Sequence, residues 1–248
     1  MMDDSVAVNY DISIVVPCYQ DEGHLRESVQ EIYSLLNKTK YTFEMIFVED
    51  CSKDKTRDVI LSIVQDFPDA SYILHEKNVG RGGTFLDGVK IAKGKYIGFL
   101  DIDLEVSCVF LLNVIAELEK GYDVATVRRH YAIDPSPVFI LRHILSVGYK
   151  MIISRYLGIP RMDTETGFKF FRRDCIFMLS GHVENKKWFF DTEIMILAFM
   201  NKYKIKEVDG LFIRKAEKVS TVKLFQDTVD YFVEIVKFKK RIRKLTFR

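Results

Sequence analysis

KYIGFLDIDLE, residues 95–105, decides how the rest of the chain is read. It opens as an aromatic and β-branched run, the composition of a buried strand. It then places Asp101, Asp103 and Glu105 at every second position. Along a strand, residues i, i+2 and i+4 share one face. The spacing predicts that Leu100, Ile102 and Leu104 enter a core while the three carboxylates point together. Close carboxylates repel. They are tolerated where water solvates them or where a divalent cation neutralises them, and hard oxygen ligands suit Mg²⁺ or Mn²⁺. A solvated strand end that merely turns is the other reading of the same spacing.

Working outward, ISIVVPCY (12–19), FEMIFVED (43–50), SYILHE (71–76) and YDVATVRR (122–129) read as further strands. Stretches with helical apolar spacing separate them, such as Leu25, Val29, Ile32, Leu35 and Leu36. Strand–helix alternation predicts an α/β fold, with a mainly parallel central sheet flanked by helices. Such sheets bind ligands beyond the carboxyl ends of their strands. Pro17–Asp21, Glu49–Ser52 and Asp101–Glu105 all fall at such ends, so three acidic strand ends are expected to converge on one crevice. After about residue 130 the pattern changes. RMDTETGFKFFRRD reads as a hairpin or strand–turn, WFFDTEIMILAFMNK as a helix and KIKEVDGLFIRK as a strand.

The chain has 248 residues, 48% hydrophobic and 29% charged, enough for a full core, and a net charge of only +2. Cys18, Cys51, Cys108 and Cys175 show no Cys-x-x-Cys spacing and fit a reducing cytosol. The acidic start lacks the apolar core of a signal peptide. The most apolar stretch, residues 138–159, is interrupted by Arg142, His143, Lys150 and Arg155, so it reads as amphipathic and not as a spanning helix. The expected location is cytoplasmic, with peripheral contact to the cytoplasmic face of a membrane as an option. From Lys237 to Arg248 there are seven Lys/Arg and no acid. Phe232, Ile235, Val236, Ile242 and Leu245 are placed on one side of that tail, which reads either as a solvated helix or as an anionic-membrane anchor. The basic residues do not interleave with a nucleic-acid motif, so nucleic-acid binding is not expected.

NVGRGGTF reads as a glycine-rich turn before a helix. It lacks both the G-x-G-x-x-G order and the Walker lysine pattern. Ser52 or Asp54 reads as a helix cap, which leaves Glu49 and Asp50 free for a base or ribose. The histidines are dispersed, and no G-x-S-x-G elbow occurs.

Taken in order, VVPCYQDE, VEDCSKDKT, NVGRGGTFLDGVKIAKGKYIGFLDID and DTETGFKFFRRD resemble glycosyltransferase family 2, with its GT-A fold, over roughly residues 11–225. Within it the likeness is to dolichyl- and polyprenyl-phosphate sugar synthases, the dolichol-phosphate mannosyltransferase-like branch. The resemblance implies a nucleotide-sugar donor, GDP- or UDP-hexose. It matches Pro17, Tyr19 and Asp21 to the first nucleotide-contact motif and Glu49 and Asp50 to the base and ribose pair. Asp101 and Asp103 match the Asp-x-Asp signature, with Asp103 and Glu105 reaching Mg²⁺ or Mn²⁺. A lipid-linked phosphate acceptor is already anionic near neutral pH and needs cations more than a base. Arg128 or Arg129, together with Arg142, match the subgroup's arginines, whose fork suits phosphate. The later loop IRKAEKVSTVK offers Lys215 and Ser220 but departs from the subgroup at Lys218 and Thr221. For a hydroxyl acceptor a base is required; Asp191 is the first candidate and Glu193 the next, although Asp191 also reads as a helix cap.

The resulting expectation is an inverting, metal-dependent transferase that moves a hexose, mannose or glucose, to polyprenyl or dolichyl phosphate. Its GT-A domain is expected over 1–230, with a nucleotide-sugar half over 11–130, an acceptor half over 131–230 and a basic tail over 231–248. The rivals are a family 2 enzyme with a glycan or other hydroxyl acceptor, a nucleotidyltransferase, and a non-catalytic nucleotide-binding scaffold.

Overall fold

A computed structural model describes residues 9–131, 148, 151, 154–213 and 224–243. Its strands are β1 (Tyr10–Cys18), β2 (Phe43–Glu49), β3 (Ala70–Leu74), β4 (Gly94–Leu100), β5 (Val124–Tyr131), β6 (Phe168–Arg172) and β7 (Ile205–Phe212). They form one sheet in the order β3-β2-β1-β4-β6-β5-β7. Neighbours pair in parallel except at β6, which runs antiparallel to both β4 and β5. The expected mainly parallel α/β architecture is thus present, with one reversed strand wedged into its middle.

Side-chain alternation divides the core in two. Ile12, Ile14 and Val16 of β1 join one cluster beneath α1 (Leu25–Leu36), α2 (Thr56–Asp66) and α4 (Phe110–Glu119). Val15 joins the other, beneath α3 (Arg81–Ile91), α5 (Arg173–Ser180), α6 (Phe190–Met200) and α7 (Leu224–Ile242). Helices on both faces are what buried parallel strands require.

Several expectations are corrected. β4 stops at Leu100, so Asp101–Glu105 is a turn, and strand alternation does not aim its carboxylates. The glycine-rich stretch is a loop only over Asn78–Gly80; from Arg81 onward it is the first part of α3. Gly82 is there for close approach: a Cβ on it would lie 2.5 Å from Phe190 Cβ on α6. Asp191 does not cap α6, whose N-cap is Phe189 without a side-chain hydrogen bond. On α7, Ile235, Phe238 and Ile242 face the core. Val236 is 42% exposed, so Phe238 takes the place expected for it. The side chain of Phe232 and all of Leu245 lie outside the described residues, and the 230/231 boundary falls inside this helix. Among the described residues no helix is long and apolar enough to cross a membrane.

Candidate functional site

The carboxyl ends of β1, β2 and β4 are each followed by a residue in the left-handed region: Gln20 (φ 59°), Cys51 (φ 61°) and Leu104 (φ 52°). Such conformations persist where surrounding bonds over-determine them. Here those bonds knit the first two strand ends together. Gln20 N–H donates to Ser52 Oγ at 3.1 Å, Asp21 N–H to Thr56 Oγ1 at 2.7 Å, and Lys55 N–H to Glu22 Oε2 at 2.7 Å. Asp21 spends its own oxygens locally, accepting from Tyr19 N–H at 2.8 Å and lying 3.2 Å from His24. Tyr19 is exposed at the rim.

At β2, Glu49 is buried and accepts from Ser52 N–H. Asp50 faces the loop before α3. Its Oδ1 accepts from Val79 N–H (2.8 Å) and its Oδ2 from Gly80 N–H (2.9 Å), while His75 Nδ1 is 3.0 Å from Oδ1. In this state both acids shape loops.

After β4, Asp101, Asp103 and Glu105 line one small cleft with Arg129 and Gly167, about 20 Å³ in volume. That is room for one water-sized occupant. The turn is fixed at both ends: Asp101 N–H donates to the Gly167 carbonyl at 2.8 Å, and Ile213 N–H to the Glu105 carbonyl at 2.8 Å. A Cβ on Gly167 would land on the Asp101 carboxylate. The three carboxylates thus share a cleft through a turn and not a strand face, and its lining includes neither the β1 end nor the β2 end. Burial is the largest influence on Asp101 and raises its pKa; Arg81 opposes it, and Asp103 and Asp191 add to it.

Behind the cleft lies an ion network that the sequence did not reveal. Arg81 Nη2 is 2.6 Å from Asp101 Oδ1, and Arg81 Nε is 3.1 Å from Asp191 Oδ2. Lys169, fully buried on β6, donates to Asp191 Oδ1 at 3.0 Å. Burial lowers the Lys169 pKa, against the pull of Asp191. Both Asp191 oxygens thus face cations. The available signal was a lone lysine in GFKFF, an apolar run where a charge needs a partner. Arg81 was hidden in a glycine run whose bland reading was a turn.

The β5 arginines take opposite faces. Arg128, expected at the acceptor, is half-exposed and pairs with Glu207 at 2.5 Å. Arg129 lines the cleft and holds the buried Asp163 through two bonds, 2.9 and 2.8 Å. Arg142, Lys215, Ser220 and Lys218 lie outside the described residues.

Among the described residues no group of three or more His, Cys, Asp or Glu is drawn together to hold a metal ion. Asp103 and Glu105 nonetheless supply hard oxygens to one ion-sized cleft, and like-charge crowding at Asp101 is the kind of strain a cation relieves. The residues present fit a divalent ion.

The family model for Glycosyl transferase family 2 matches residues 13–177, from β1 through α5. The chain belongs to this family. Among curated relatives, a dolichyl-phosphate beta-glucosyltransferase of Trichomonas vaginalis is 31% identical over 211 residues, covering 79% of this chain and 64% of the relative. The chain therefore spans just under two thirds of that protein's length. The Saccharomyces cerevisiae dolichyl-phosphate beta-glucosyltransferase is 28% identical, covering 88% of this chain and 73% of its own. Within family 2 the likeness to dolichyl-phosphate sugar synthases stands. Among solved structures, glucosyl-3-phosphoglycerate synthase from Mycobacterium tuberculosis with uridine diphosphate has a TM-score of 0.70 at 16% identity, covering 94% of this chain and 81% of that one. The same enzyme has also been solved with Mn²⁺, uridine diphosphate and glucosyl-3-phosphoglycerate, at a TM-score of 0.66 and 15% identity. These likenesses show the GT-A fold of this family 2 glycosyltransferase.

Proposed function

We propose that this chain transfers glucose from UDP-glucose to a dolichyl or other polyprenyl phosphate, with a divalent cation at the Asp103–Glu105 cleft. The observation that carries the reading is the pairing of that acidic cleft with relatives named dolichyl-phosphate beta-glucosyltransferase. The names favour glucose over mannose as the hexose.

The donor crevice is the space beyond β1, β2 and β4, with Pro17 and Tyr19 at its rim and the Glu49–Asp50 end beneath. Asp103 and Glu105 are the residues that would hold Mg²⁺ or Mn²⁺, which supplies charge stabilisation for a departing nucleoside diphosphate. The acceptor phosphate is itself the nucleophile. Its oxygen attacks the anomeric carbon, the bond from that carbon to the diphosphate oxygen breaks, and UDP leaves with the electron pair. A single in-line displacement inverts the anomeric centre. No proton need be removed from the acceptor, which agrees with Asp191 being held between Arg81 and Lys169. Arg129 is the cleft arginine available to the reacting phosphates; Arg142, Lys215 and Ser220 are kept as acceptor contacts from sequence. The domain division expected from sequence, with a donor half and an acceptor half, is part of this proposal. So is peripheral contact with the cytoplasmic face of a membrane, for which the exposed Lys237 and Lys240 of α7 and Arg243 just past its end give a basic surface.

The test is an extraction assay with radiolabelled UDP-glucose or GDP-mannose and detergent-dispersed dolichyl phosphate. Label should enter the organic phase from UDP-glucose and only with the lipid phosphate present. Label appearing only on free sugars or glycans would overturn the acceptor assignment.

A further inference from the structure

His75 stands between the acidic end of β2 and the middle of α3. Its Nδ1 is 3.0 Å from Asp50 Oδ1, and its Nε2 is 3.3 Å from Asp87 Oδ2. Its own backbone N–H donates to the Glu49 carbonyl at 2.9 Å, which roots the ring on the same strand end. Asp50 in turn collects the loop that leads into Arg81. Beyond the Val79 and Gly80 amides on its carboxylate, its carbonyl accepts from Asn78 Nδ2 at 3.0 Å. His75 therefore links Asp50 to the middle of α3, alongside the bond from Thr84 Oγ1 to the Gly80 carbonyl at 2.9 Å.

The surroundings make the tie strong. The side chains of His75 and Asp50 are only 11% and 5% exposed, so water is poorly placed to replace a lost bond. A carboxylate only accepts hydrogen bonds, and an imidazole donates from both nitrogens only when doubly protonated. Both ring nitrogens here face carboxylates, so both bonds form in the imidazolium state. The charged groups facing the ring are Asp50 from the end of β2 and Asp87 from α3. Behind Asp87 lies Lys90, 2.5 Å from its other oxygen. Glu49 precedes Asp50 in the chain, and Glu76 and Lys77 follow the histidine.

We propose that His75 is a positioning residue of the donor site, holding Asp50 and the Asn78–Gly80 loop in the geometry that a nucleoside diphosphate meets. The proposal rests on the donor reading above for the identity of the ligand.

The experiment measures UDP binding by calorimetry at one fixed pH for the full chain, His75→Gln and Asp87→Asn. It is paired with hydrogen exchange at the Val79 and Gly80 amides in the absence of nucleotide. His75→Gln keeps at most one of the two bonds. It should bind UDP about tenfold more weakly, the cost of one charged hydrogen bond. In turnover it should raise KM and leave kcat nearly intact. Asp87→Asn keeps the bond from His75 to Asp50 and should weaken UDP binding by less than His75→Gln does. Exchange at Val79 and Gly80 should accelerate in His75→Gln. Unchanged affinity in His75→Gln, or unchanged exchange at the two amides, would overturn the proposal. Faster exchange in a chain whose wild type binds no UDP would instead sink the donor reading and leave the loop-holding role standing.

Discussion

Arg81 Nε donates to Asp191 Oδ2 at 3.1 Å, joining the first residue of α3 to the first turn of α6 across 110 positions of chain. The same guanidinium faces Asp101, so one cation is shared by two acids behind the cleft. Removing it leaves two carboxylates near each other with Lys169 alone to balance them. Arg81→Met should therefore destabilise the fold by about 3–5 kcal/mol, the usual cost of breaking a buried pair. Thermal or urea unfolding checks this. A change below about 1 kcal/mol, the range of surface pairs, would mean the network does not hold α3 to α6.

Gly167 leaves the space that the Asp101 carboxylate fills. Gly167→Ala should keep the fold at a cost of about 1–3 kcal/mol, as overpacking usually does. It should also push Asp101 out of the cleft and abolish measurable UDP binding. Normal UDP affinity in this variant would show that the Asp101 position is not critical.

Cys51 adopts φ 61° directly after the Glu49–Asp50 pair. A side chain in that region costs roughly 1–2 kcal/mol, more than the extra chain entropy that glycine loses. Cys51→Gly should raise unfolding stability by about 0.5–1 kcal/mol, read from the denaturation midpoint at unchanged slope. A loss of stability would show that the Cys51 Sγ contact to the Glu76 carbonyl outweighs the strain.

The four thiols should separate by reactivity. Cys18, Cys108 and Cys175 are buried, and Cys51 is exposed. Burial first, and then the bond to Glu31, pushes Cys108 up to about 12, and burial lifts Cys18 well above the usual thiol range. Because the thiolate is the reactive form, raised values suppress labelling near neutral pH. Ellman's reagent should titrate one thiol in the native protein and all of them after denaturation. Two or more fast native thiols would contradict the burial.

Much of this arrangement was legible in the chain. The apolar runs of β1, β2 and β4 announced themselves because parallel strands are buried on both faces, and Asp101, Asp103 and Glu105 stood out against that background. What stayed hidden depended on contacts between distant segments. Gly82 looked like a turn because nothing local shows that Phe190 packs on it. Arg128 was read as the acceptor arginine and Arg129 as an ordinary surface one, yet their opposite faces on β5 bring Arg129, not Arg128, to the cleft. Asp101, Asp103 and Glu105 line one cleft, but through a turn pinned by Gly167 and Ile213 that nothing local announces. Asp191 read as a cap or a base because its partners, Arg81 and Lys169, lie on other elements.

The most direct measurement is UDP binding by calorimetry with Mn²⁺ and with EDTA, for the wild-type chain and Asp103→Asn. The account predicts binding to the wild type that weakens at least about tenfold when the metal is removed, the effect of losing one charged contact. It predicts equally weak binding by Asp103→Asn with or without Mn²⁺. Wild-type affinity that ignores both the metal and the substitution would contradict it.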